Sequence, residues 1–240
     1  MKTSALFLAA LCSGTLLLGS CDNKPADTTA TETTTSETAS TTADTAGDHS
    51  HMAGMEHGST SGGSPMMGAM NDMMAKMHAM QPKGNTDHDF AHHMIEHHRG
   101  AVAMADIELR DGKDATLREM AEKIKADQQK EIAEMEPIAE RLDAAPTNYK
   151  PQDPNDPFTS KMKASMDGMM QNMPKETGNV DQDFVGMMIP HHQSAVDMAK
   201  AEVAHGRDTK LKEMAQKMID AQQKEIQQFK DWQAKNGTQK

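Results

Sequence analysis

From Asp87 onward, inward-type residues recur three and four positions apart, the spacing of one face of an α-helix. Phe90, Met94, His97, Ala101, Met104 and Glu108 fall on one face with His98 at its edge, and Arg99, Asp106 and Arg110 lie opposite. A second stripe follows in Leu117, Met120, Ala121, Ile124, Gln128, Glu131 and Ile132. Gly112 can supply a positive-φ residue that ends the first helix, and Asp114 can cap the second. The pattern predicts helices over 87–111 and 114–142, with Pro137 kinking or shortening the latter. No stretch alternates with the period of a strand.

The same hairpin is written twice. Position n matches position n+94 without a gap from Asp87 to Ile132, and about half of the aligned residues are identical. Asp89-Phe90 recurs as Asp183-Phe184, Met94-Ile95 as Met188-Ile189 and His97-His98 as His191-His192. Met104-Ala105 recurs as Met198-Ala199, and Gln128 to Ile132 as Gln222 to Ile226. Helices are therefore expected near 181–205 and 208–235, with Pro190 bending the first of them. Each hairpin is preceded by a Met-rich stretch. The seven Met residues of Met66–Met80 cover an arc of about 140° on a helical wheel. Met70 to Met77 is echoed by Met166 to Met173 after a two-residue shift. The fold class read from this is all-α: a four-helix bundle made of two repeated helical hairpins, to which the Met segments can add two short helices. Residues 65–144 form the first Met segment and hairpin, 145–157 a Pro-rich linker, and 158–240 the second Met segment and hairpin.

Composition changes the picture at the N-terminus. Only 36% of the 240 residues are hydrophobic and 3% aromatic, too little to fold the whole chain around a core. Residues 1–20 read as a signal peptide: Lys2 is followed by an apolar run from Ala5 to Leu18 that is too short to span a bilayer. Leu18-Gly19-Ser20-Cys21 resembles a bacterial lipobox, which makes Cys21 the lipidation site; the plainer reading is an ordinary cleaved signal. Cys12 lies inside the signal, so Cys21 is left as the one mature cysteine, excluding an internal disulfide or a Cys-based metal site. Residues 21–64 read as a disordered tether rich in Thr, Ser, Ala and acidic residues. It carries a His/Met tract between His49 and His57, either a metal collector or a polar arm with incidental histidines. The expected location is outside the cytoplasm, in the cell envelope (periplasm), with a membrane attachment through the lipid. A net charge of −11 argues against a nucleic-acid partner and suits metal cations.

The candidate chemistry lies in the repeated face. His97, His98, His191 and His192 are either core histidines donating to carboxylates, or metal ligands whose far nitrogens are oriented by Glu108, Glu131, Glu202 and Glu225. The 24 Met residues are either adaptable core filler or, in part, thioether ligands. Thioethers select soft ions, Cu(I) above all and Ag(I) by the same softness.

At Asp89-Phe90, Met94-Ile95, His97-His98, Ala101-Val102 and Met104-Ala105, and again at Asp183-Phe184, Met187-Met188-Ile189-Pro190-His191-His192, Ala195-Val196 and Met198-Ala199, the chain resembles a bacterial domain-of-unknown-function family. That family includes the CopM-like copper-binding proteins. The resemblance covers about residues 85–235. It implies a ferritin-like bundle, an envelope setting and Cu(I)/Ag(I) binding, and points to Met94, His97, His98, Met104, Met188, His191, His192 and Met198 as metal ligands. The first copy departs from the second in having Glu96 for Pro190 and His92-His93 for Gly186-Met187. The leading expectation is a non-enzymatic copper or silver binder that buffers or sequesters metal. The alternatives are a structural or partner-binding envelope lipoprotein and, behind it, a ferritin-like di-iron enzyme, which the absence of Glu-x-x-His at the required places disfavours.

Overall fold

The computed structural model describes residues 63–237, so the signal, Cys21 and the His/Met tract at 49–57 lie outside the described residues. The described chain is all-helical: α1 (Pro65–Ala79), α2 (Thr86–Asp111), α3 (Ala115–Leu142), α4 (Pro157–Gln171), α5 (Val180–His205) and α6 (Thr209–Asn236). Each start carries its chemical reason. Ser64, Asn85, Asp114, Asp156, Asn179 and Asp208 each accept a backbone N–H of the first turn, and Pro65 and Pro157 open α1 and α4. None of these helices is long and apolar enough to cross a membrane.

The duplication is visible in the helix ends. Thr86 and Val180, Asp111 and His205, Ala115 and Thr209, and Leu142 and Asn236 are all 94 positions apart. The Met segments follow a different register, Pro65 and Pro157 being 92 apart. Buried Met73 and Met77 thus correspond to buried Ser165 and Met169, and not to the residues paired by the sequence echo.

Pro137 lies inside α3, which reaches the expected Leu142. The expectation for the helix ends is corrected. Gly112 and Gly206 end their helices in extended conformation (φ −67° and −65°), not at positive φ. Their glycine is needed for room: a Cβ at either would collide with the carboxyl of Glu108 or Glu202 folded over the helix end. The positive-φ residues are Gly84 (82°) and Gly178 (77°), in the turns entering α2 and α5. Asp89 holds the first turn by accepting the N–H groups of Lys83 and Gly84 and the Tyr149 hydroxyl. Asp183 repeats this on Thr177 and Gly178. The repeated Asp-Phe pair is therefore a turn lock followed by a core anchor, with Phe90 and Phe184 both fully buried.

Helices α2 and α5 form the centre, packed on each other, with α3 and α6 completing the two hairpins. α1 covers α2 and α4 covers α5. Asp87, opening α2, accepts the N–H groups of Arg207 and Asp208 beyond the end of α5. Asp181, opening α5, accepts those of Lys113 and Asp114 beyond the end of α2. The two central helices are therefore antiparallel, and the repeats are related as by a two-fold axis passing near their midpoints.

Candidate metal chamber at the crossing of α2 and α5

The midpoint of each central helix is its His pair. The periodicity that put His97 and His98 on the apolar stripe also turns them inward: His97, His98, His191 and His192 are all completely buried. His97 and His191 stack across the crossing with ring centroids 3.7 Å apart. The His191 Nε2–H donates to the carbonyl of His97 at 3.1 Å. Burial, with the neighbouring imidazoles adding to it, holds both rings well below the usual histidine range, so both are neutral near pH 7.

His98 and His192 face the outer helices. The Nε2–H of His98 donates to Glu131 at 2.8 Å, and that of His192 to Glu225 at 3.0 Å. Glu225 is also held by the Lys123 ammonium at 2.8 Å, and burial notwithstanding, its hydrogen bonds to His192 and Lys123 keep its carboxyl below the usual range. Each of these two histidines thus keeps its Nδ1 buried without a hydrogen-bond partner. His191 Nδ1 and both nitrogens of His97 are also without a partner. Buried polar atoms are normally satisfied, so five free imidazole nitrogens in one chamber call for an explanation.

The predicted thioethers line the same stripe. Met94 and Met188 precede the His pairs by one helical turn, about 4.5 Å along the axis for three residues. Met104 and Met198 lie about two turns beyond. All four are fully buried. Glu131 and Glu225 join the histidines, but Glu108 and Glu202 do not. They lie at the far ends of α2 and α5, Glu108 beside Asp181 and Glu202 beside Asp87. Burial first, and the adjacent aspartate second, push Glu108 up to about 8 and Glu202 up to about 9. Gln128 and Gln222, one turn from the chamber carboxylates, are buried with no hydrogen bond from their side chains. A crevice of about 170 Å³ between α3 and α6 reaches Gln128, Glu131, Gln222 and Glu225 from the surface.

Three His or carboxylate groups whose ligand atoms already lie within 4.8 Å of one another occur once among the described residues, at His88, His92 and Asp143. The sequence reading missed this group, although the i, i+4 spacing of His88 and His92 was there to be read.

Comparison with known proteins agrees with the sequence resemblance. CopM in the Cu(I)-bound form is 27% identical, covering 63% of this chain and 98% of its own, with a TM-score of 0.49. CopM in an Ag-bound form is likewise 27% identical, covering 66% and 100%, at 0.49. A fragment from Deinococcus radiodurans is 23% identical, covering 65% and 99%, at 0.47. No curated protein matches by sequence. The model of a domain of unknown function, DUF305, matches residues 26–139 and 87–233, and the chain belongs to that family.

Proposed function

We propose that the protein binds a soft monovalent ion, Cu(I) or by the same chemistry Ag(I), in the chamber between α2 and α5, and acts without catalysis as a metal buffer. The export signal and Cys21 support a place in the cell envelope, tethered by lipid. One observation carries the reading. His98 and His192 each give one nitrogen to a carboxylate and keep the other buried and free, the arrangement in which metal-bound histidines are held. Neutral imidazoles and buried thioethers are the ligands a soft ion prefers, and no carboxylate other than Glu131 and Glu225 pairs with the four rings among the described residues. The di-iron reading loses support because Glu108 and Glu202 stand apart from the histidines.

A competitive Cu(I) titration under reducing conditions tests it. The parent should bind tightly, and a variant with His97, His98, His191 and His192 changed to Ala should lose at least about 100-fold in affinity. Equal binding by both would move the metal to the Met segments or the N-terminal arm. No binding by the parent would leave the chamber as core, and a structural role would follow.

A further inference from the structure

We infer that the open end of the first hairpin carries a second metal site, His88–His92–Asp143, for a borderline divalent cation such as Zn(II) or Cu(II). It is separate from the chamber and does not depend on the chamber's function.

The geometry is specific. His88 and His92 stand one turn apart on α2, ring centroids 4.3 Å apart, and Asp143 comes from the residue that ends α3. His88 Nε2 lies 3.1 Å and His92 Nε2 3.4 Å from the same carboxylate oxygen, Asp143 Oδ1. Hydrogen bonds fix the orientation of the His88 ring. Its Nδ1 is 2.7 Å from Asp89 Oδ1, and Asp89 otherwise receives only donors, from Lys83, Gly84 and Tyr149. A carboxylate that accepts those bonds requires the proton on His88 Nδ1. His88 Nε2 is hydrogen-bonded to Asp143 Oδ1 at 3.1 Å, a contact that a bound cation would replace. His92 Nε2 is buried without a hydrogen bond and aims at the same point. Two ring nitrogens and one carboxylate oxygen thus converge within 4.8 Å of one another, the spacing of a three-ligand cation site.

The Lys83 ammonium lies 3.3 Å from Asp143 Oδ1 on a half-exposed side chain that can swing aside. Two imidazoles and one carboxylate, with a neighbouring pocket of about 280 Å³ for water or a fourth ligand, match Zn(II) or Cu(II) better than Cu(I). Asp89 behind His88 supplies the carboxylate that such ligating histidines have. The site belongs to the first repeat alone. The equivalent positions in the second are Gln182, Gly186 and Gly237, and the Pro174 ring packs against Gly186. An ion held here would staple the start of α2 to the end of α3.

Zn(II) is the probe, because it cannot be reduced. Calorimetric titration of the purified protein should show one site that weakens at least about 10-fold in His92→Gln and in Asp143→Asn. Both side chains are partly exposed, so neither change threatens the fold, and far-UV circular dichroism checks this. The site should persist in the variant lacking the four chamber histidines, which separates its fate from that of the chamber. Absence of Zn(II) binding in the parent would overturn the proposal. So would binding that His92→Gln and Asp143→Asn leave unchanged.

Discussion

At the scale of single residues, the inward histidines and methionines were legible, because helical periodicity fixes the direction of a side chain once the helix is certain. The carboxylates were legible only by half. Glu108, Glu131, Glu202 and Glu225 all fall on inward faces, but a wheel has no axial reach. It cannot tell that Glu131 and Glu225 lie opposite the rings and that Glu108 and Glu202 lie at the helix ends beside Asp181 and Asp87. Those end carboxyls make stability depend on pH. Their ordinary value is 4.5, and burial raises Glu108 to about 8 and Glu202 to about 9. Below 4.5 both the folded and unfolded chains hold the protons, so the stabilisation is fully present. As pH rises the unfolded chain releases them first, and stability is lost until the folded carboxyls also ionise near 8 and 9. His97 and His191 act in the opposite direction: depressed in the fold, they remove stability as pH falls below 6.5, where the unfolded chain takes up protons that the folded chain refuses. The metal-free protein should therefore melt highest at mildly acidic pH, between about 4.5 and 6.5. Replacing Glu108 and Glu202 together by Gln keeps shape without charge. Thermal melts from pH 5 to 9 should show the alkaline decline of the parent flattened in that variant; an unchanged decline would place its cause elsewhere.

At the scale of the helix, α2, α3, α5 and α6 lie within a few residues of where the repeated pattern put them, since each has a long stripe and a capping residue. α1 is ambiguous in the sequence. A stripe of Met reads equally as packing or as ligand, and only the tertiary contacts decide which surface it meets. It meets α2: Met66, Met70, Met73, Met74 and Met77 are buried, and Met73 lies over Gly100, where any side chain would collide with it. The second copy has Ser194 in place of Gly100, and its short helix packs in another register. Flexible thioethers suit such an irregular seam. Changing Met66, Met70, Met74 and Met77 to Leu nearly conserves volume, and each change should cost less than about 1.5 kcal/mol by urea denaturation. Cu(I) affinity should stay within about threefold of the parent if the ligands are on α2 and α5, a difference of under 1 kcal/mol. A larger loss would bring α1 into the metal site.

At the scale of the whole molecule, the repeat predicted two hairpins but not how they would dock, because the docking is carried by residues far apart in sequence. The two-fold relation is written in reciprocal contacts. Asp87 caps the turn after α5 as Asp181 caps the turn after α2, and Glu202 meets Asp87 as Glu108 meets Asp181. Every one of these pairs maps onto its counterpart by the shift of 94, so each repeat already holds both halves of the interface. His97 and His191, stacked at the axis, are the same residue in the two copies. A surface complementary to a copy of itself is that of a two-fold dimer. The fragment of residues 63–150 keeps α1, α2, α3 and the Asn148 and Tyr149 contacts to Gly84. Alone, it would expose the α2 face bearing Met94, His97, Ala101 and Met104, an apolar stripe with a buried imidazole at its centre. Two such fragments can cover that stripe, with Asp87 of each capping the turn at Lys113 and Asp114 of the other. The fragment is therefore expected to sediment as a folded homodimer that dissociates and unfolds together on dilution. A folded monomer would mean that the hairpin is stable without its docking face, and that the duplicated interface is not self-complementary.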